Sequence, residues 1–277
     1  MGPLISAEAL AGCLGDDSLV VIDCRYDLAQ PDAGVAAWAE RHIPGALFMH
    51  LDRDLSSAKT GGNGRHPLPS PAVFAALLGR CGVTPQHTVV ACDDAGGMFA
   101  ARLWWMLRWV GHTDAAVLDG GLAAWRASGG ALDQSVRSLP ATDYPLRAVE
   151  QTLDAGTLMT NLDSAALLVV DARAPDRFRG ENETLDPVGG HIPGAVNRFF
   201  KLNLTDDGRF KPADVLRAEW RAIANGRDPA TLVMQCGSGV TACHNLLALE
   251  LAGLSGARLY PGSWSEWCSD PARPVAR

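Results

Sequence analysis

The chain contains an internal copy of itself. His42-Ile-Pro-Gly-Ala46 returns unchanged as His191-Ile-Pro-Gly-Ala195. Upstream of each copy stand Leu19-Val-Val-Ile-Asp23-Cys-Arg25 and Leu168-Val-Val-Asp171-Ala-Arg173, and downstream Gly120-Gly-Leu-Ala-Ala-Trp125 is matched by Gly262-Ser-Trp-Ser-Glu-Trp267. Order and spacing are kept over most of the chain, so one folding plan must serve both halves.

Each half alternates short β-branched runs with helical patterns, the signature of α/β domains with a mainly parallel sheet flanked by helices on both faces. In the first half LVVID and TVVAC are strands, and SPAVFAALLGRCG and FAARLWWMLRWVGH are helices. In the second half LLVVD, TLVMQ and ARLY are strands, and PADVLRAEWRAIANG and VTACHNLLALELAG are helices. A length of 277 residues with 47% hydrophobic side chains can fill two such cores. Between the halves, Ser135 to Arg147 is polar, carries two prolines and follows neither period. The expected division is therefore a domain over 1–134, an extended linker over 135–151 and a second domain over 152–277.

A net charge of -7 argues against nucleic acid as a partner, because such a surface repels phosphate. No apolar run reaches the length of a membrane span, and the N-terminal residues lack the pattern of an export signal, so a cytoplasmic protein without membrane attachment is expected. The seven cysteines are odd in number, dispersed and without a C-x-x-C pair, which predicts neither a disulfide framework nor a metal site. Most read as small buried hydrophobes.

Cys236 is different. The run Thr231-Leu-Val-Met-Gln235 leads straight into Cys236-Gly-Ser-Gly-Val-Thr-Ala-Cys-His244, which places this thiol at the carboxyl end of a strand and beside the start of a helix. Two glycines let the backbone curl so that N–H groups converge on the sulfur, and the helix dipole adds positive potential. Such a setting favours the thiolate and suits a nucleophile. One more buried thiol in a tight turn is the plainer alternative.

On Asp-x-Arg and His-Ile-Pro-Gly-Ala in each half, Arg177-Phe-Arg-Gly180, the cysteine loop and Gly262-Ser-Trp-Ser-Glu-Trp267, the chain resembles the tandem rhodanese family along essentially its whole length. The loop is similar to that of 3-mercaptopyruvate sulfurtransferases. The resemblance implies a catalytic second domain and a degenerate first one, in which Asp93 stands opposite Cys236. It implies transfer of sulfane sulfur through a Cys236 persulfide, from 3-mercaptopyruvate or, alternatively, thiosulfate, to a thiol, cyanide or thioredoxin-like acceptor, with no metal or organic cofactor.

The same resemblance assigns Ser238, His66 and Asp52 to a proton relay, and Arg177 to the carboxylate of a small anionic donor, with Arg179 as a possible second contact. Gly237, Gly239, Val240 and Thr241 complete the expected cradle. Two departures stand out. Leu185 falls where a second substrate arginine of mercaptopyruvate enzymes is expected. Gly237 and Ser238 are neutral where thiosulfate-using relatives carry basic residues after the cysteine. His42, His191, Asp23, Arg25, Asp171 and Arg173 read as structural, and Trp264 and Trp267 as candidates to line the cleft.

Two other functions are weighed. A phosphatase of rhodanese-like fold needs a longer loop ending in arginine, whereas Gly237 to Thr241 are followed by Ala242. A binding module or a persulfide carrier for another protein is the non-enzymatic alternative.

Overall fold

Two parallel sheets, built on one plan, organise the computed structural model, which describes residues 2–277. The first contains β1 (Leu4–Ile5), β2 (Leu19–Asp23), β3 (Leu47–Phe48), β4 (Thr88–Cys92) and β5 (Ala115–Leu118), in the order β1-β5-β4-β2-β3. The second contains β6 (Leu168–Asp171), β7 (Val196–Asn197), β8 (Leu232–Gln235) and β9 (Arg258–Leu259), in the order β7-β6-β8-β9. Every strand pairing is parallel. Thr152 bridges Leu259 in parallel, the place that β1 holds beside β5 in the first sheet.

The inner strands have helices on both faces, so they are apolar without alternation: all five residues of β2 and all four of β8 are buried. Trp125 packs into the first core, with Leu10, Val90 and Leu122. Trp264 and Trp267 pack into the second, with Val233, Ile192 and Tyr260. Both of these tryptophans are fully buried, so they build the core and do not line a cleft. The paired motifs fix the turns between these elements. His42 stacks on Trp38 and bonds to its carbonyl, and His191 stacks on Phe178 and bonds to its carbonyl. Asp23 pairs with Arg25 at 2.7 Å and Asp171 with Arg173 at 2.6 Å, with burial that leaves neither pair to solvent.

The chain forms two compact units whose limits are not simple cuts. The first comprises the chain up to Ser57, Pro69–Glu150 and Asp206–Arg209; the second comprises Ala58–Leu68, Gln151–Thr205 and Phe210–Arg277. The polar stretch around 135–151 is extended but not free. Ser135 O accepts from Gly45 N–H, Thr142 N–H donates to Gly79 O, and Val149 N–H donates to Trp109 O, each at 2.9 Å, so most of it is bonded into the first unit. Its polarity serves backbone bonding along a surface, a use that composition alone does not distinguish from a solvated connection. Among the described residues no helix is long and apolar enough to cross a membrane.

Candidate active site

β8 ends at Gln235, and after five residues the helix Thr241–Leu251 begins. The loop between them is latched to the short helix Ser263–Trp267: Trp264 N–H donates to Cys236 O and Ser265 N–H to Gly237 O, both at 2.9 Å. Cys236 N–H donates to Ser263 Oγ at 3.0 Å, and that hydroxyl donates to Tyr260 O at 3.0 Å. Ser263 has a φ of +54°, a left-handed conformation that costs a side-chain-bearing residue of this kind about 1 kcal/mol. Its counterpart in the first half, Gly121, sits at +55°. A serine thus stands in the conformation of a glycine, and its hydroxyl holds the backbone of Cys236. Gly239 is at φ +75°, and a Cβ there would lie 2.4 Å from Pro261 O, so only glycine closes the loop.

The sulfur of Cys236 accepts a hydrogen bond from Ser238 N–H at 3.5 Å, and the residue is 2% exposed. Ser238 Oγ and His66 Nδ1 share a 2.7 Å hydrogen bond, and both residues are buried. His66 reaches this place because Ala58–Leu68 belongs to the second unit, where Arg65 N–H donates to Ser265 Oγ at 2.9 Å. Asp52 lies in the first unit; Tyr26 Oη donates to its carboxylate, and its own N–H donates to His50 Nδ1 at 3.1 Å. Burial and that carboxylate push the Tyr26 hydroxyl well above the usual tyrosine range, so it stays a donor.

Arg177 stands on the short helix Pro175–Phe178. Its Nε and Nη2 bond to Glu183 at 3.1 and 2.8 Å, and Nη2 also reaches Asp186 at 3.3 Å. Glu183 further accepts the N–H groups of Leu185 at 2.9 Å and Asp186 at 3.1 Å. Burial pulls the Glu183 carboxyl up, but these N–H donors together with the Arg177 guanidinium outweigh it and hold the group below the usual glutamate range. Arg173 ties the same carboxylate, at 3.4 Å, to Asp171, and its guanidinium lies 4.7 Å from the ring centre of Trp264.

Arg179 is not drawn into this cluster. It pairs with Glu181 at 2.7 Å on the surface, where both side chains are about half exposed. Leu185 also points outward, at 48% exposure. The second guanidinium beside the loop comes from elsewhere in the chain. A Cβ built on Gly237 would lie 2.7 Å from Arg65 Nη2 and 3.6 Å from both terminal nitrogens of Arg177. Arg65 Nη1 pairs with Asp186, which thus holds both arginines.

The Rhodanese-like domain family matches this chain twice, over residues 6–128 and 154–270. The chain belongs to the rhodanese family. It is 50% identical over 276 residues to a Pseudomonas aeruginosa protein named "Probable 3-mercaptopyruvate sulfurtransferase", covering 99% of this chain and 97% of that one. It is 37% identical over 276 residues to the thiosulfate sulfurtransferase of Bos taurus, covering 95% and 89% of the two chains. The solved structure of 3-mercaptopyruvate sulfurtransferase from Leishmania major is similar with a TM-score of 0.86 and 30% identity, over 96% of this chain and 74% of that one.

The two rhodanese halves treat the same loop differently. After β4 the loop begins with Asp93, whose C=O accepts Leu122 N–H at 2.8 Å as Cys236 O accepts that of Trp264. The Asp93 carboxylate is buried and accepts four backbone N–H groups, from Ala95, Gly97, Phe99 and Ala100, at 2.8 to 2.9 Å. Burial raises the Asp93 carboxyl above the usual aspartate range while the four N–H bonds oppose that shift, and the N–H cradle of the first half is filled by its own side chain. Among the other thiols, burial pushes Cys24 and Cys92 well above the usual range and Cys268 up to about 11, which leaves them inert at neutral pH. Cys243 Sγ donates to Gly239 O at 3.3 Å and so braces the loop. No group of His, Cys, Asp and Glu side chains among the described residues is arranged to hold a metal ion.

Proposed function

We propose that this chain is a sulfurtransferase that moves a sulfane sulfur from 3-mercaptopyruvate to a thiol or cyanide acceptor through a persulfide on Cys236. The observation that carries this reading is the joining of three parts at one loop: a cysteine at a strand's carboxyl end with an N–H on its sulfur, a Ser238–His66 pair two residues on, and guanidinium groups over Gly237.

In the proposed first step the Cys236 thiolate attacks the donor's sulfur. An S–S bond forms and the donor's C–S bond breaks, its electron pair passing to the methylene carbon. The proton of the donor thiol is transferred to that carbon by way of Ser238 Oγ and His66, which yields pyruvate and leaves Cys236 as a persulfide anion. The carboxylate that the resemblance assigns to this relay is Asp52. An acceptor thiolate, a cyanide ion or a thioredoxin-like dithiol then takes the outer sulfur and restores the thiolate. Seven cysteines without a disulfide are in keeping with a reducing compartment such as the cytoplasm.

A second reading has thiosulfate as the donor, with sulfite leaving as the S–S bond of thiosulfate breaks. The relative named thiosulfate sulfurtransferase favours it. Initial rates with 3-mercaptopyruvate and thiosulfate, measured side by side, decide between the two. The mercaptopyruvate reading expects the larger kcat/KM for that donor, and a larger value for thiosulfate would replace it. Cys236→Ser is expected to lower either rate by at least roughly 1000-fold while the protein stays folded; retained turnover would refute the persulfide route.

A further inference from the structure

We propose that Ser263 is a positioning residue for the sulfur transfer: its hydroxyl fixes the Cys236 peptide, and with it the backbone N–H groups that hold the sulfur in transit. This deepens the reading above and rests on it.

The helix Ser263–Trp267 acts as an outer template for the loop. The N–H groups in the first turn of a helix have no partner within it. Here two of them take loop carbonyls, Trp264 N–H that of Cys236 and Ser265 N–H that of Gly237. A trans peptide is planar with its N–H opposite its C=O, so carbonyls held toward the helix turn the N–H groups of Gly237 and Ser238 away from it. That of Ser238 meets Cys236 Sγ. Ser263 Oγ adds a side-chain bond to this set: it accepts Cys236 N–H and donates to Tyr260 O, so it is fixed from both sides. The residue is fully buried, which keeps water from competing for either bond.

The first half does without this hydroxyl. Gly121 stands at the matching position with nearly the same φ, +55° against +54°, and Leu122 N–H takes Asp93 O as Trp264 N–H takes Cys236 O. What differs is inside the loop. The Asp93 carboxylate accepts four N–H groups and so organises its loop from within. Sulfur is a weaker acceptor, and Cys236 cannot do the same for its own loop. The second loop is therefore organised from outside. A serine is held in left-handed backbone, where glycine would be unstrained, and its hydroxyl supplies that hold. A persulfide lengthens the side chain by one sulfur, and the N–H groups must stay in place while the outer sulfur is attacked.

The test uses the whole protein, Ser263→Gly and Ser263→Ala, with 3-mercaptopyruvate and thiosulfate as donors. Both variants lack the hydroxyl, and only Ser263→Ala keeps a side chain on the left-handed backbone. Both are expected to lower kcat by roughly 10-fold, the loss that goes with one hydrogen bond, while KM changes by less than about threefold. Sulfane sulfur loaded on Cys236 and left without an acceptor should decay about 3- to 10-fold faster in both, because the N–H groups around it are less well held. Ser263→Gly should unfold at a higher urea concentration than Ser263→Ala, since glycine adopts this backbone freely. The two variants thus share the catalytic defect and differ in stability. Wild-type kcat and persulfide lifetime in Ser263→Gly, or a loss of kcat that follows the urea midpoint and appears in Ser263→Ala alone, would overturn the positioning role while leaving the sulfurtransferase reading in place. Wild-type protein that takes no sulfur from either donor would overturn both.

Discussion

At Glu183 burial and hydrogen bonding oppose each other, and hydrogen bonding prevails. The carboxyl group is held below the ordinary glutamate value of 4.5 despite burial. A depressed folded value means that the ionised side chain adds stability above the unfolded value, and that this contribution is lost as pH falls through the folded one. Glu183→Gln should therefore cost about 2–3 kcal/mol at neutral pH, as a charged acceptor is removed from Arg177 and Arg173. The gap between wild type and variant should narrow as pH drops below about 4. Denaturant midpoints across that range check this, and a gap that does not change with pH would contradict it. Cys236 and Arg177 could be singled out in the sequence because each sits in a contiguous motif. Arg65, Asp186 and Ser263 could not, because their roles arise from contacts between distant positions: Arg65 and Asp186 are separated by 121 positions. One signal was available for Arg65. With no arginine at position 185 and no basic residue at 237, the loop's cation must come from elsewhere, and Arg65 adjoins His66.

The strand–loop–helix element occurs in both halves, and its first residue decides how the loop is filled. In the second half that residue is a thiol whose sulfur accepts Ser238 N–H; in the first, the Asp93 carboxylate accepts four N–H groups itself. Asp93→Ala would leave those donors buried without their acceptor and should destabilise the first unit by at least about 3 kcal/mol, read from urea unfolding; a loss below about 1 kcal/mol would show that the loop does not depend on this acceptor. Strands of four or five residues, such as β2, β4 and β8, were legible from their β-branched runs. β1, β3 and β7 were not, since each is two residues long and too short to show a period. The left-handed backbone of Ser263 was hidden as well, because serine gives no sign of it.

For the whole molecule the repeat made the two-sheet plan readable, since identical motifs in identical order demand equivalent turns. The exchange of segments was not readable. Ala58–Leu68 joins the second unit and Asp206–Arg209 the first, and both are short stretches without a hydrophobic period to reveal which core they serve. That exchange brings His66 and Arg65 to the loop of Cys236, so the candidate site of one unit depends on residues encoded within the other half of the repeat. The central claim is that Cys236 carries sulfur. Intact-mass analysis followed by peptide mapping, after the protein is exposed to 3-mercaptopyruvate without an acceptor, tests this most directly. The account predicts a gain of one sulfur atom, localised to Cys236, absent from Cys236→Ser and removed by cyanide. A protein whose mass does not change with either 3-mercaptopyruvate or thiosulfate, or a sulfur found on another of the seven cysteines, would contradict it.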